Sequence, residues 1–155
     1  MRLPALVLSV VAVTAATLVA TPASAAVVVD CSTGPVTVRG TDEVYTLTGA
    51  CSKVTVRGSG LKVSLTSATA LTLRSSDTVV RADRAGTVRV IGAGNRLTAQ
   101  RATSLTVRGS TNRTTFERLR KVTVRGAGNR VVVRRGRTEV RVVGAANIVR
   151  VAKRR

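Results

Sequence analysis

The chain has no histidine and no tryptophan, and a single phenylalanine and a single tyrosine in 155 residues. Without histidine, Ser-His-Asp triads, imidazole metal sites and histidine acid–base chemistry are excluded. The scarcity of aromatics rules out a core built on large rings and leaves no platform for stacking nucleobases. Cysteine is confined to Cys31 and Cys51, with no Cys-x-x-Cys and no third soft ligand, so no zinc or iron–sulfur site can be assembled. Acids are also few: seven Asp+Glu stand against 26 Lys+Arg, a net charge of +19.

What the chain does have is a repeat. Glycine, or serine in its place, recurs at Gly40, Gly58, Ser75, Gly92, Gly109, Gly126 and Gly144, in steps of 17 or 18 residues. An apolar-x-apolar triplet precedes each one, from Val36/Val38 through Leu71/Leu73 to Val140/Val142. Five and seven residues after it a second apolar pair follows, such as Val63/Leu65, Leu97/Ala99 and Val131/Val133. Ten after it the residue is nearly always small, as at Ala68, Ala85 and Ala102. Alternation over four or five positions is the signature of a strand, and a fixed short period marks stacked units that cannot bury an apolar face alone. Each unit reads as strand, glycine turn, strand and short return, and parallel crossovers are right-handed. The expected fold is therefore all-β: a single-stranded right-handed parallel β-helix of about seven coils of roughly 17 residues, about 34 Å long at the inter-strand spacing. An antiparallel sandwich would show hairpin turns and variable spacing instead.

The turn takes the form Gly-x-x-Asn at Asn95, Asn112, Asn129 and Asn147. Asparagine can bond its own backbone at a corner, and stacked asparagines can form a ladder along the axis.

Arg2, an apolar stretch over residues 6–20 and the small-x-small sequence Ala23-Ser24-Ala25 predict a cleaved export signal over residues 1–25. The apolar run falls short of the roughly 20 residues that span a bilayer. Residues 26–151 are then the solenoid domain, and residues 152–155 a basic tail that guards an open edge. An even cysteine count in an exported chain favours a disulfide. Cys31 and Cys51 are 20 residues apart, which in a stacked fold puts them on neighbouring coils within reach of one bond. Secretion or association with the cell envelope is the expected location.

The pattern V-x-V-x-G-x-x-N-x-V-x-V, the early cysteine pair and the leader together resemble the secreted actinobacterial repeat proteins grouped as domain of unknown function 3060, over about residues 30 to 151. The resemblance implies export and a β-solenoid. It implies no activity and no site residues, because the family has none assigned.

Outward positions fall into basic columns. Arg84, Arg101, Arg118 and Arg135 stand nine after the glycine on consecutive coils, and Arg96, Arg113 and Arg130 stand four after it. Arg39, Arg57, Arg74, Arg108 and Arg125 stand one before it, and a threonine column three before it is broken by Arg89 and Arg141. The charge is lopsided: residues 26–90 carry 8 basic and 5 acidic side chains, residues 91–155 carry 17 and 2. Like charges one rung apart repel by about 0.9 kcal/mol in water before screening. A polyanion with matching charges would offset that, and arginine (22 against 4 lysines) suits bidentate phosphate or carboxylate contact.

The expected function is thus non-enzymatic binding of an anionic polymer of the cell wall or membrane surface. Arg84, Arg101, Arg118, Arg135, Arg96, Arg113, Arg130, Arg108 and Arg125 are the candidate contacts. Nucleic acid would bind only through its backbone, non-specifically, and no cofactor, metal or small-molecule substrate is expected. The alternatives are a passive basic surface, an ice-binding or other regular surface, and a polysaccharide-active enzyme. Two paired threonine columns would favour ice, and here the second column is arginine. For an enzyme, Asp42/Asp77 and Asp83/Glu117 each lie two coils apart, about 10 Å, at or beyond the edge of the spacing that carboxylate pairs use.

Overall fold

The computed structural model describes residues 25–32 and 34–152. The export signal predicted over residues 1–25 lies outside them except for its last residue, and so does the tail beyond Ala152. Ten strands form one parallel sheet that winds on itself: β1 (Val27–Asp30), β2 (Val36–Thr41), β3 (Val44–Ser59), β4 (Lys62–Ser76), β5 (Val79–Ala93), β6 (Arg96–Ser110), β7 (Arg113–Ala127), β8 (Arg130–Arg135), β9 (Glu139–Val143) and β10 (Ile148–Val151). The order is β1-β3-β4-β5-β6-β7-β8-β10, with β2 on β3 and β9 on β7. The fold is the right-handed parallel β-solenoid that the repeat predicts.

The long strands β3 to β7 bend around corners. Between β4 and β5 the ladder lapses at Thr66/Asp83 and again at Thr69/Gly86, because these residues turn the chain. A coil therefore has two full faces and a short third side. Face A carries the triplet before the glycine, as at Val88 and Val90. Face B carries the pair after the turn, as at Val80 and Ala82. The short side holds one outward and one inward residue, Arg84 and Ala85. The inward residue at that apex is small on most coils, as at Ala68, Ala85 and Ala102, and Leu119 is the buried exception. Face A has seven rungs and face B eight, since β1 adds a rung before the first full coil.

Inward side chains stack on their own equivalents. Val54, Leu71, Val88, Leu105 and Val122 form one buried column, and Val56, Leu73, Val90, Val107 and Val124 another. Each is at most 1 % exposed, and full burial of such a side chain stabilises by about 1.5–3 kcal/mol. The last coil differs: Val140 and Val142 are 43 % and 41 % exposed, because no further rung covers them. Thr114 occupies an inward position that valine or leucine fills on neighbouring coils, and its hydroxyl is buried without a partner. Nothing in the structure explains that choice.

The first coil is tied covalently by the Cys31–Cys51 disulfide, with Cα atoms 4.7 Å apart. Beside it, the Ser32 amide and hydroxyl donate to Asp30 and hold its carboxyl below the usual carboxylate range. Tyr45 is half-buried, and its hydroxyl donates to Glu43 and to the Arg39 carbonyl. The Glu43 bond raises the phenol above its ordinary value.

Of the two asparagine roles expected from the sequence, the structure shows the ladder along the axis. Each asparagine bonds its neighbouring coils rather than its own backbone. Asn112 Nδ2 donates to Asn129 Oδ1 at 3.0 Å and to Gly92 O at 2.8 Å. Asn112 Oδ1 accepts from the side-chain and backbone N–H groups of Asn95. Asn129 repeats the arrangement with Asn147 and Gly109. At the upper end Asn95 Oδ1 accepts from the Ser75 hydroxyl and the Thr78 amide, which is why serine replaces glycine there without breaking the ladder. Asn95, Asn112 and Asn129 are each 1 % exposed, with all side-chain donors and acceptors used.

The recurring glycine belongs to the same device. A Cβ on Gly109 would lie 2.0 Å from Gly92 O, the carbonyl that Asn112 engages. Two residues further on, every coil passes through left-handed backbone: Asp42, Gly60, Asp77, Gly94, Thr111, Gly128 and Ala146 have φ between 51° and 68°. The backbone alone does not demand glycine here, since aspartate, threonine and alanine also occupy the column, although at Gly60 and Gly94 a Cβ would meet the carboxylates of Asp42 and Asp77. A Cβ on Gly128 would meet nothing closer than 3.8 Å.

The two glycines should therefore separate cleanly in denaturant titration. Gly128→Ala is expected to cost about 1 kcal/mol for the left-handed backbone. Gly109→Ala should cost at least about 3 kcal/mol, since a backbone carbonyl must move and a buried asparagine loses its acceptor. Equal losses would contradict the role assigned to the glycine column.

Candidate anion-binding groove

The nine candidate arginines do not converge on one place. They separate into two groups on either side of face B. Arg84, Arg101, Arg118 and Arg135 stack in register on the short side, each the Cα partner of the next. Arg96, Arg113 and Arg130 stack where face B begins, and Arg108 pairs with Arg125 where face A ends, so these five flank the asparagine corner. Along one strand, Arg96 and Arg101 are separated by about 16 Å of extended chain.

The short-side group lines a groove of about 380 Å³. Its floor is the small inward column of Ala85, Ala102, Leu119 and Gly136. The small apex residues leave the surface concave, and the corner beyond them raises the opposite wall. That wall carries Thr103, Arg120 and Arg137. Arg120 and Arg137 escaped the sequence reading because only two coils carry arginine at that corner. Counting eleven residues past Gly109 and Gly126 would have found them.

Few of these cations are neutralised. Among the described residues three ion pairs form: Lys121–Glu139 at 3.0 Å, Arg134–Glu117 at 3.1 Å and Arg135–Glu117 at 3.6 Å. Glu117 meets two adjacent arginines, whereas Glu139 meets a lysine. Arg84, Arg101, Arg118, Arg120 and Arg137 face the groove with no carboxylate within 4.0 Å. Exposed pairs of this kind contribute roughly 0–1 kcal/mol, so Glu117 relieves only one end of the column.

The acids weighed as catalytic pairs have other partners. Asp83 Oδ1 accepts from Gln100 Nε2 at 3.1 Å, and Glu117 is engaged by Arg134 and Arg135. Asp42 and Asp77 sit in the left-handed corner column. No cluster of three or more potential metal ligands occurs among the described residues.

One protein-family model, described as Protein of unknown function (DUF3060), matches twice in succession, over residues 38–90 and 90–145. The chain belongs to that family. Each matched stretch spans about three coils of this DUF3060 protein, the least that buries a continuous core in a stacked fold. No curated protein and no solved structure matches it.

Removing charge from the middle of the column should relieve strain. Arg101→Thr/Arg118→Thr is expected to raise stability by about 0.5–1 kcal/mol at low ionic strength. Thermal melts at rising salt should see the gain shrink as the repulsion is screened. A loss of stability at low salt would show that these arginines support the fold.

Proposed function

We propose that this protein is a secreted, non-enzymatic solenoid whose arginine-lined groove binds anionic polymers of the cell wall or membrane surface. One observation carries the reading. Four arginines are held in register on consecutive coils, opposite two more across a concave floor, and among the described residues only Arg135 of these six has a carboxylate partner. A chain of phosphates or carboxylates laid along the axis would meet a guanidinium at each rung, about every 4.8 Å. Guanidinium forks match such groups bidentately.

Secretion rests on the leader at residues 1–25, and the Cys31–Cys51 disulfide suits an oxidising compartment. Nucleic acid fits less well. Phe116 is fully buried and Tyr45 is half-buried at the far end from the arginine columns, so the groove offers bases no ring to stack on. Only backbone contact without sequence preference would remain.

The test is co-sedimentation of the mature, disulfide-intact chain with purified envelope fractions across a salt series. Saturable binding is expected at low salt, falling steeply towards physiological ionic strength as counterions compete. Arg101→Thr/Arg118→Thr/Arg135→Thr should weaken it at least about tenfold while the melting curve stays two-state. Equally tight binding by the triple variant would remove the groove from the account. No saturable binding to any fraction would favour a passive basic surface.

A further inference from the structure

Across the corner from the arginine groove, face B opens into a wider trough of about 520 Å³ crossing six consecutive coils from Thr46 to Arg134. Its chemistry is unlike that of the arginine groove. The inner outward column is mostly hydroxyl, with Thr46, Ser64, Thr98 and Thr115. The corner column beside it runs Thr48, Thr66, Asp83, Gln100 and Glu117. The only charges lining it are Arg81 and Arg134 against Asp83 and Glu117, so the trough is neutral overall in a chain of net charge +19.

A phosphate-bearing polymer gains nothing there, since the two carboxylates would repel it. An apolar partner would leave hydroxyl, amide and carboxylate groups without water. We propose that this trough is a binding site for a neutral glycan chain lying along the solenoid axis. Sugar hydroxyls both donate and accept, as do threonine and serine, and carboxylate and amide oxygens accept from them. The corner side chains are already oriented. Gln100 Nε2 is held by Asp83 Oδ1, leaving Gln100 Oε1 and the second Asp83 oxygen to accept, and Glu117 is fixed by Arg134. The rung spacing of about 4.8 Å is close to the length of one pyranose in an extended chain, so successive coils would meet successive sugars in equivalent ways.

With no aromatic ring lining the trough, stacking on sugar faces is absent there and affinity should be modest, about millimolar for a hexasaccharide. The site is independent of the arginine groove, and salt separates the two. Backbone amide shifts of the mature chain are followed by NMR in about 1 M sodium chloride, where the screening length is about 3 Å. Cellohexaose, chitohexaose and maltohexaose are the probes. At least one is expected to give saturable shifts centred on Thr66, Asp83, Thr98 and Gln100. Thr98→Val/Gln100→Leu, both exposed and compatible with a strand, should weaken that binding at least about fivefold. Arg101→Thr/Arg118→Thr/Arg135→Thr should leave it unchanged. The proposal is overturned if none of the three sugars shifts the trough residues, if shifts centre elsewhere, or if the arginine variant abolishes them. Salt-sensitive polymer binding with no sugar binding would sink the trough and leave the groove standing.

Discussion

In the C-terminal half of the solenoid, the register between coils depends on one hydrogen-bonded unit: an asparagine side chain that reaches back to the carbonyl at the turn and forward to the next asparagine. Gly92 O, Asn112 Nδ2 and Asn129 Oδ1 are links in a chain that continues through Asn147. Because each link is buried and fully satisfied, slipping one coil by a residue would strand several polar groups at once, each costing about 1–3 kcal/mol. The apolar columns oppose the same slip, since moving a strand by one residue would turn its whole inward set to solvent. From Asn95 to Asn147 the ladder locks each coil to the next across steps of 17 and of 18 residues, and the outer columns of that half stand in register with it.

Outside, that same register becomes a cost. Stacking identical coils puts like charges about 4.8 Å apart, and the sequence places arginine in several of the columns where threonine would be neutral. The molecule answers this only in part, with Glu117 at the foot of one column. The trough on face B shows a different solution on the next face, where Asp83, Gln100, Glu117 and Arg134 alternate so that neighbours attract. Two surfaces with opposite electrostatic logic share one corner of the coil. That contrast argues for two kinds of contact better than overall net charge does.

Much of the architecture was legible in the sequence because the glycine and the apolar pairs keep a constant phase. The coil length, the short third side read from Ala68, Ala85 and Ala102, and the Cys31–Cys51 bridge all follow from that phase. Less could be read where the outcome depends on the height of one coil over another. The asparagine ladder was legible as a column, but that Asn112 also reaches the Gly92 carbonyl, and that the Gly109 Cα faces that carbonyl, are facts of stacking that a single repeat does not contain. The candidate site was half legible. Columns of arginine could be counted, but which columns share a groove depends on where the corners fall. Arg120 and Arg137 join Arg101 and Arg118, while Arg108 and Arg125 belong to another corner. The face B trough went unread because its columns mix hydroxyl, amide and carboxylate and so show no repeat of one residue type.

The central claim is that the asparagine ladder holds the coils in register, and the side-chain amides of Asn95, Asn112 and Asn129 report on it directly. Hydrogen exchange followed by NMR should find all three pairs of amide protons slow to exchange, with cross-peaks from each to the next asparagine one coil away. Rapid, water-like exchange at these positions, with no contact between successive asparagines, would contradict the account.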